Sequence, residues 1–194
     1  TNVSVRAILA TIMLIVWCIR FGWFLGTRIH MNNGRDKRFD GVRDQPKTLL
    51  VYWTLQGLWI TFIITPVMLL SIKRSDYVIL LAWFGGLALE TSADMEKRAF
   101  NGDKRNKGKW ITTGLWSWSR HPNYIGEIII QWTLYTFVVR GLPTWTLCII
   151  ALISPLFTSV YLYKIAAPML EAIAHKQWGK DANYQAYLKS TPIL

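Results

Sequence analysis

Five long apolar runs constrain this sequence more than any other feature. They cover roughly residues 4–26, 48–72, 76–96, 122–140 and 143–164. A helix needs about 20 apolar residues to cross the ~30 Å hydrocarbon core of a bilayer. Because backbone groups in lipid must be hydrogen-bonded within the segment, these runs are expected to be helices. They predict an all-α, polytopic transmembrane bundle of about five spans, forming a single domain over residues 1–194.

The distribution of charge supports a membrane protein and argues against a nucleic-acid partner. The chain is 52% hydrophobic and has a net charge of +11. Its basic residues are concentrated in 28–47, in 97–109 and in the C-terminal segment. With about five spans, all three regions are expected on the same side of the membrane. We expect that side to face the cytosol or its equivalent, in the endoplasmic reticulum, a bacterial inner membrane or the mitochondrial inner membrane. Membrane lipids are therefore expected partners.

The segment after the last apolar run predicts one further helix. Pro168 is expected to open an amphipathic helix in the segment 168–190. Gly179 is a stop signal within this segment, and Asp181 is expected to cap the short stretch that follows it. The two cysteines, Cys18 and Cys148, have neither a disulfide framework nor metal-ligand spacing, so no metal site is predicted.

Polar residues recur at every fourth position in two of the apolar runs. They are Glu90, Asp94 and Arg98 in the third run, and Asn123, Glu127 and Gln131 in the fourth. This spacing puts each set on one face of a helix. Because ionisable side chains are costly in lipid, the two stripes are expected to face each other. They predict a polar cavity that opens on the positively charged side.

The segment GLWSWSRHPNYIGE, residues 114–127, leads directly into the fourth run. Pro122 suits the first turn of a helix, whose amino end offers free N–H groups and partial positive charge. Arg120 and His121 add donors at this end, and the polar residues deeper in the run can bind a sugar, an amide or an adenine edge. The segment predicts a socket for an anionic, polar cofactor whose reactive end reaches into the bilayer.

A purely structural interpretation of the same residues is also open. Arg120 and His121 would then be anchors at the membrane–water boundary, and Trp116 and Trp118 would belong to an interfacial aromatic belt. Glu90 or Asp94 would form a structural ion pair with Arg98.

Several motifs occur in a specific order along most of the chain. They are GRDKRFDGVRDQP, YWTLQGLW, LETSADMEKRAF, RHPNYIGE, and PMLE followed by WGKDANYQAYLKSTP. In this combination they resemble the membrane steroid 5-alpha-reductase and sterol reductase superfamily, and most closely the uncharacterised branch beside the 5-alpha-reductase C-terminal domain. The resemblance implies a bundle of membrane helices that binds NADPH in a cavity open to the cytosol. It also implies reduction of a carbon–carbon double bond in a lipid or steroid-like substrate.

The resemblance further implies which residues contact the cofactor. The matching positions are Glu90, Asp94, Arg98, Arg120, His121, Asn123, Tyr124, Glu127 and Glu171. Glu90 departs from the pattern, since it stands where the family has a nicotinamide-contacting Asn.

The resemblance does not assign the catalytic residue. In 5-alpha-reductases a Gln-Glu pair on an earlier helix and a Tyr on the next hold the substrate ketone. That pair would be expected before the first apolar run, and Trp17 stands at the Tyr position. Tryptophan donates one hydrogen bond but does not deliver a proton at neutral pH. The reduction would then use other groups, or depend on a segment outside this sequence, or be lost altogether.

Two other functions remain open on the sequence. RHPxYxG and the Glu…Gly…Tyr…Tyr tail are shared with the isoprenylcysteine carboxyl methyltransferases, which use S-adenosylmethionine. Asn123 and Glu127, which those enzymes usually lack, favour the reductase. The missing acid and the eleven tryptophans favour a third function, a non-catalytic subunit that needs no cofactor and packs against other membrane protein subunits.

Overall fold

The computed structural model describes the backbone of residues 5–31, 34, 44–64 and 76–194, with side chains for all of these except 5–7 and 58–64. In the described residues the secondary structure is helical, without strands, which confirms the all-α fold for this part of the chain. Its α-helices are α1 (Val5–Met31), α2 (Pro46–Ile64), α3 (Asp76–Gly102), α4 (Pro122–Val139), α5 (Trp145–Tyr161), α6 (Ala167–Trp178) and α7 (Ala182–Ser190).

Three helical segments within the described residues are long and apolar enough to cross a membrane. They are Ile8–Met31, Asp76–Gly102 and Trp145–Trp178. These segments support an integral membrane protein, but the count of about five spans is not confirmed. The polar residues of α4 lower its mean hydropathy, and α4 has only 18 residues. The predicted second span ends in residues 65–72, which lie outside the described part of the chain.

Helix boundaries follow local signals where the sequence carries them. Pro122 is the first residue of α4, as predicted. The side chain of Asp181 caps α7, because its Oδ1 accepts hydrogen bonds from the backbone N–H groups of Asn183 (2.8 Å) and Tyr184 (3.3 Å). Gly179 directly follows α6, so the predicted stop is also confirmed.

The structure differs from the sequence prediction at Pro168. No new helix opens there, because a π-helical turn, Leu162–Ala166, joins α5 to α6 into one helical segment. The N–H of Ala167 bonds the carbonyl of Leu162, five residues back. This wider turn immediately precedes the proline, which has no N–H of its own and would clash with a regular preceding turn. The predicted amphipathic segment 168–190 is also divided, since α6 ends at Trp178 and α7 begins at Ala182.

The chain divides into two compact units. The first comprises Thr1–Arg74 and Phe137–Ser154, and the second comprises Ser75–Thr136 and Pro155–Leu194. In the first unit Trp17 is buried and stacks on Phe21, with ring centroids 5.5 Å apart. All of the predicted cofactor-contacting residues belong to the second unit. The prediction of a single domain stays a prediction.

In the second unit α3 and α4 approach each other at two glycines. A Cβ built on Gly126 would lie 2.7 Å from the Cβ of Glu90 and 2.8 Å from the carbonyl oxygen of Gly86. A Cβ on Gly86 would lie 2.9 Å from the Ile129 side chain. Small residues at membrane helix contacts allow the backbones to come this close. The two glycines therefore bring Glu90 directly against α4.

We expect Gly126→Ala to destabilise the second unit by about 1–3 kcal/mol, because the added methyl group overlaps the backbone of α3. Thermal unfolding of the detergent-solubilised protein, followed by circular dichroism, measures the effect. Gly85→Ala is the matched control, since a Cβ there meets nothing within 4 Å. It should be neutral or slightly stabilising because alanine favours helix. Equal melting temperatures of the two variants would contradict the close approach of α3 and α4.

Candidate functional site

The polar stripe of α3 faces the interior of the second unit, as predicted. Glu90 is only 6% exposed and Asp94 only 8%, whereas Arg98, near the end of the helix, is half-buried. The neighbouring Ala93 is fully buried. Carboxyl groups this deep in an apolar helix bundle need polar partners.

The stripe of α4 supplies one such partner. The side-chain amide of Asn123 donates a hydrogen bond to Asp94 Oδ1 over 3.3 Å. One turn and two turns deeper, Glu127 and Gln131 are both buried, and Gln131 Nε2 donates to Glu127 Oε1 over 2.9 Å. The two stripes therefore meet between α3 and α4. The buried Oδ1 of Asn123 has no hydrogen-bond partner among the described residues.

The segment before α4 is fastened to α3 through backbone and aromatic contacts. Trp116 is 2% exposed, its indole N–H donates to the carbonyl of Ala93 over 3.0 Å, and the ammonium of Lys97 lies 4.1 Å from its ring centroid. The backbone N–H of Leu115 donates to Glu96 Oε2 over 2.9 Å. Trp116 is thus a core residue, and the aromatic-belt interpretation is wrong for it.

Trp118 differs from Trp116 in its surroundings. It is 78% exposed and suits a position at the membrane boundary. Two residues apart in sequence, the tryptophans therefore have different structural roles.

Arg120 and His121 converge on one carboxylate of α6. Arg120 Nη1 forms an ion pair with Glu171 Oε2, and His121 Nε2 lies 2.9 Å from Glu171 Oε1. Because an ionised carboxylate only accepts hydrogen bonds, Nε2 of His121 carries the hydrogen in this contact. The His121 ring stacks on Tyr124 with centroids 5.0 Å apart. Arg120 and His121 are mostly buried, so the interpretation as snorkelling anchors is wrong for both.

The C-terminal tail closes over the approach to α4. The Ser119 hydroxyl donates to the carbonyl of Ile193 over 3.0 Å, and the N–H of Arg120 donates to the carbonyl of Pro192 over 2.9 Å. The Ser119 hydroxyl also accepts the N–H of His121 over 3.0 Å. Backbone groups ahead of α4 are thus satisfied by the tail.

A phenol on α7 adds a further bond between the C-terminal part of the chain and the segment before α4. Tyr187 donates its O–H to the carbonyl of Trp116 over 2.8 Å. Burial raises the pKa of Tyr187 to about 12, with Glu171 adding to the rise and Arg120 opposing it. The phenol is therefore neutral at physiological pH and keeps the proton that this bond requires.

An aromatic cluster joins the basic loop after α3 to the C-terminal helices. The rings of Trp110, Trp178 and Tyr184 lie 5.1 to 6.0 Å apart, and the indole N–H of Trp178 donates to the carbonyl of Gly108 over 2.6 Å. Two of the three basic regions therefore lie together at the end of the second unit where α3 ends and α4 begins. Their placement on the cytosol-equivalent side stays a prediction.

Most of the predicted site residues lie in two adjoining groups. The deep group, between α3 and α4, comprises Glu90, Asp94, Asn123, Glu127 and Gln131; the outer group comprises Arg120, His121, Tyr124 and Glu171. Arg98 is half-buried one turn beyond Asp94. In the described part of the chain no group of His, Cys, Asp and Glu side chains could hold a metal ion.

Sequence reasoning missed the residues that fasten the site together. Glu96, Trp116 and Tyr187 make contacts over 19 to 71 positions along the chain, which local periodicity cannot reveal. One usable signal is Gly114, because glycine readily adopts the positive φ (+60° here) that other residues avoid.

The contacts define the class of protein: a helical protein with three candidate membrane spans in its described residues and a buried polar group between two helices. The chain belongs to the family described as protein of unknown function (DUF1295), whose sequence model matches residues 1–191. No curated protein and no solved structure matches the chain.

The glycine before Trp116 yields a test of this arrangement. Gly114 has φ +60°, and a Cβ there would lie 2.5 Å from the carboxylate of Glu96, which accepts the N–H of Leu115. Gly108 has a similar φ of +81°, but a Cβ built there would meet nothing within 4 Å. Both alanine variants should incur about 1–2 kcal/mol of backbone strain. Gly114→Ala should lose about a further 1 kcal/mol with the Glu96 hydrogen bond.

Thermal unfolding of the two variants in the same detergent measures this difference. A Gly114→Ala protein no less stable than Gly108→Ala would show that Glu96 does not hold the segment before α4.

Proposed function

We propose that this protein is a membrane-embedded reductase that binds NADPH at the deep and outer groups and reduces a double bond of a lipid-like or steroid-like substrate. The observation that carries the proposal is the contact between Asn123 and Asp94, which brings two polar stripes together inside an apolar helix pair. Such residues are costly in a membrane and mark functional sites by default.

The chemistry of the two groups matches the two ends of a nicotinamide dinucleotide. Carboxylates and amides such as Asp94, Asn123 and Glu127 can bind hydroxyl, amino and carboxamide groups. Arg120 and His121, at the outer end, can bind phosphate. The proposed orientation therefore puts the phosphates near the amino end of α4 and the nicotinamide deeper along the helix.

Buried polar atoms without a hydrogen-bond partner among the described residues support a ligand at this position. The Oδ1 atom of Asn123 and the Nε atom of Arg120 are both buried without a hydrogen-bond partner among the described residues. Buried polar groups in proteins are nearly always paired, so atoms like these indicate a water molecule or a ligand. Asn123 offers an acceptor and Arg120 a donor, and a dinucleotide has groups for both.

NADPH, when bound, supplies a hydride to one carbon of the double bond. The residues of the chain would orient the nicotinamide, exclude water and hold the cofactor phosphates. Trp17, which stands at the family's Tyr position, would not supply the proton for the second carbon, because tryptophan is not an acid at neutral pH. That proton would come from another acid or from solvent. Asn123 and Glu127 favour this proposal over an S-adenosylmethionine-dependent methyltransferase, because the resemblance places both on the reductase side.

Cofactor binding is the first test of the proposal. NADPH added to the detergent-solubilised protein should quench tryptophan fluorescence, since Trp116 lies next to the site, and S-adenosylmethionine should not. Asn123→Ala should weaken NADPH binding by about tenfold, because a buried hydrogen bond is lost. Asn101→Ala is the matched control: Asn101 is exposed at the end of α3 and should leave binding unchanged.

The outcomes separate the three functions. Quenching by S-adenosylmethionine alone would replace the reductase by the methyltransferase, and a folded protein that binds neither cofactor would favour a non-catalytic subunit. Turnover is tested by incubating the protein with deuteride-labelled NADPH and a lipid extract. A lipid that gains deuterium, as measured by mass spectrometry, identifies the substrate class.

A further inference from the structure

Helix α6 is held to the rest of the second unit by few contacts. Ala167 is its one buried residue, and its apolar residues Met169 and Ile173 are exposed. Among the described residues, α6 is attached by the bonds from Glu171 to Arg120 and His121 and, at its last residue, by the hydrogen bond and ring contacts of Trp178. Glu171 is therefore the main polar attachment along the body of the helix.

The Glu171 carboxylate lies where an external anion would bind. Its two oxygens each face one side chain, Oε2 facing Arg120 Nη1 and Oε1 facing His121 Nε2. A phosphate group presents oxygens to arginine and histidine in the same way. Because donors already engaged by a carboxylate cannot bind phosphate with full strength, the two anions exclude each other.

We propose that Glu171 is an internal competitor for the phosphate site: an entering phosphate group displaces its carboxylate from Arg120 and His121 and thereby releases α6. The proposal rests on the proposed function only in taking the phosphate to be that of the nucleotide. It assigns to Glu171 a regulatory role, in contrast to the cofactor-contacting role that the resemblance implies.

The fold provides a place where α6 can move. The π-helical turn Leu162–Ala166 lies immediately before α6, and such turns interrupt the regular hydrogen-bond ladder of a helix. Pro168 follows it and contributes no N–H to the ladder. Tilting of α6 about this turn would separate Glu171 from Arg120 without unfolding α5.

Glu171→Gln tests the competition, because it removes the charge and keeps the size of the side chain. The probes are inorganic pyrophosphate and NADPH, added to the full-length protein in detergent. We expect Glu171→Gln to bind pyrophosphate about tenfold more tightly than the wild type, because binding no longer includes the free-energy cost of displacing the Glu171 carboxylate. Weaker binding by Glu171→Gln would overturn the proposal and make Glu171 a positioning residue for Arg120 and His121.

Release of α6 has its own readout, which is hydrogen exchange of residues 167–178. Without any ligand, these amides should exchange about tenfold faster in Glu171→Gln than in the wild type. Glu171→Asp keeps the charge on a shorter side chain and should lie between the two. In the wild type, pyrophosphate should speed exchange in the same residues. Unchanged exchange in both experiments would show that Glu171 does not hold α6.

A surface salt bridge in the same unit provides the control. Asp103 pairs with Arg105 through Oδ2 and Nη2 over 2.6 Å, where Arg105 is highly exposed. Asp103→Asn removes the same charge as Glu171→Gln and should change neither pyrophosphate affinity nor exchange of α6. An equal effect of Asp103→Asn would attribute the result to net charge and overturn the competition.

The reductase proposal and the proposal that Glu171 competes with phosphate can be overturned independently of each other. Release of α6 by pyrophosphate in a protein that does not bind NADPH would support the competition and overturn the reductase proposal. NADPH binding with unchanged exchange of α6 would support the reductase and overturn the competition.

Discussion

The close approach of α3 and α4 at Gly86 and Gly126 is the contact on which the site depends. Only without side chains at these positions can the two backbones come near enough for Glu90 to pack against α4. One turn further along α3, the same approach brings Asp94 within hydrogen-bonding reach of Asn123. A wider spacing would break the buried hydrogen bond between Asn123 and Asp94, which is costly in an apolar environment. Glycine at the helix contact is therefore a condition for carboxylates between the helices.

The outer group also provides partners for buried polar side chains, but through contacts between segments that are distant in the sequence. Arg120 and His121 approach from the segment before α4, and both bind Glu171 from α6, about 50 positions along the chain. The carbonyl groups of the C-terminal tail then satisfy the backbone around them. The deep group thus depends on helix packing, whereas the outer group depends on the position of the C-terminal segment.

The sequence predicted the parts of this arrangement that local patterns encode. Spacing of four residues placed Glu90 and Asp94 on an inward face, and Pro122 and Asp181 marked helix starts. The partner of Arg120 and His121 could not be predicted, because an ion pair across 50 positions leaves no periodic signal. The count of spans was equally beyond a hydropathy pattern, since inward polar residues lower the hydropathy of a helix whether or not it crosses the membrane.

The two groups differ in what a ligand would gain there. In the outer group Arg120 Nη1 and His121 Nε2 already have an anionic partner, so at these atoms a phosphate gains only the difference between its own bonds and those of Glu171. In the deep group the open acceptor of Asn123 is available without breaking any bond to its Oδ1. A dinucleotide would therefore gain most affinity per hydrogen bond at its carboxamide or amino end. Its phosphates would gain less affinity, because they displace Glu171, and this displacement would couple cofactor binding to the position of α6.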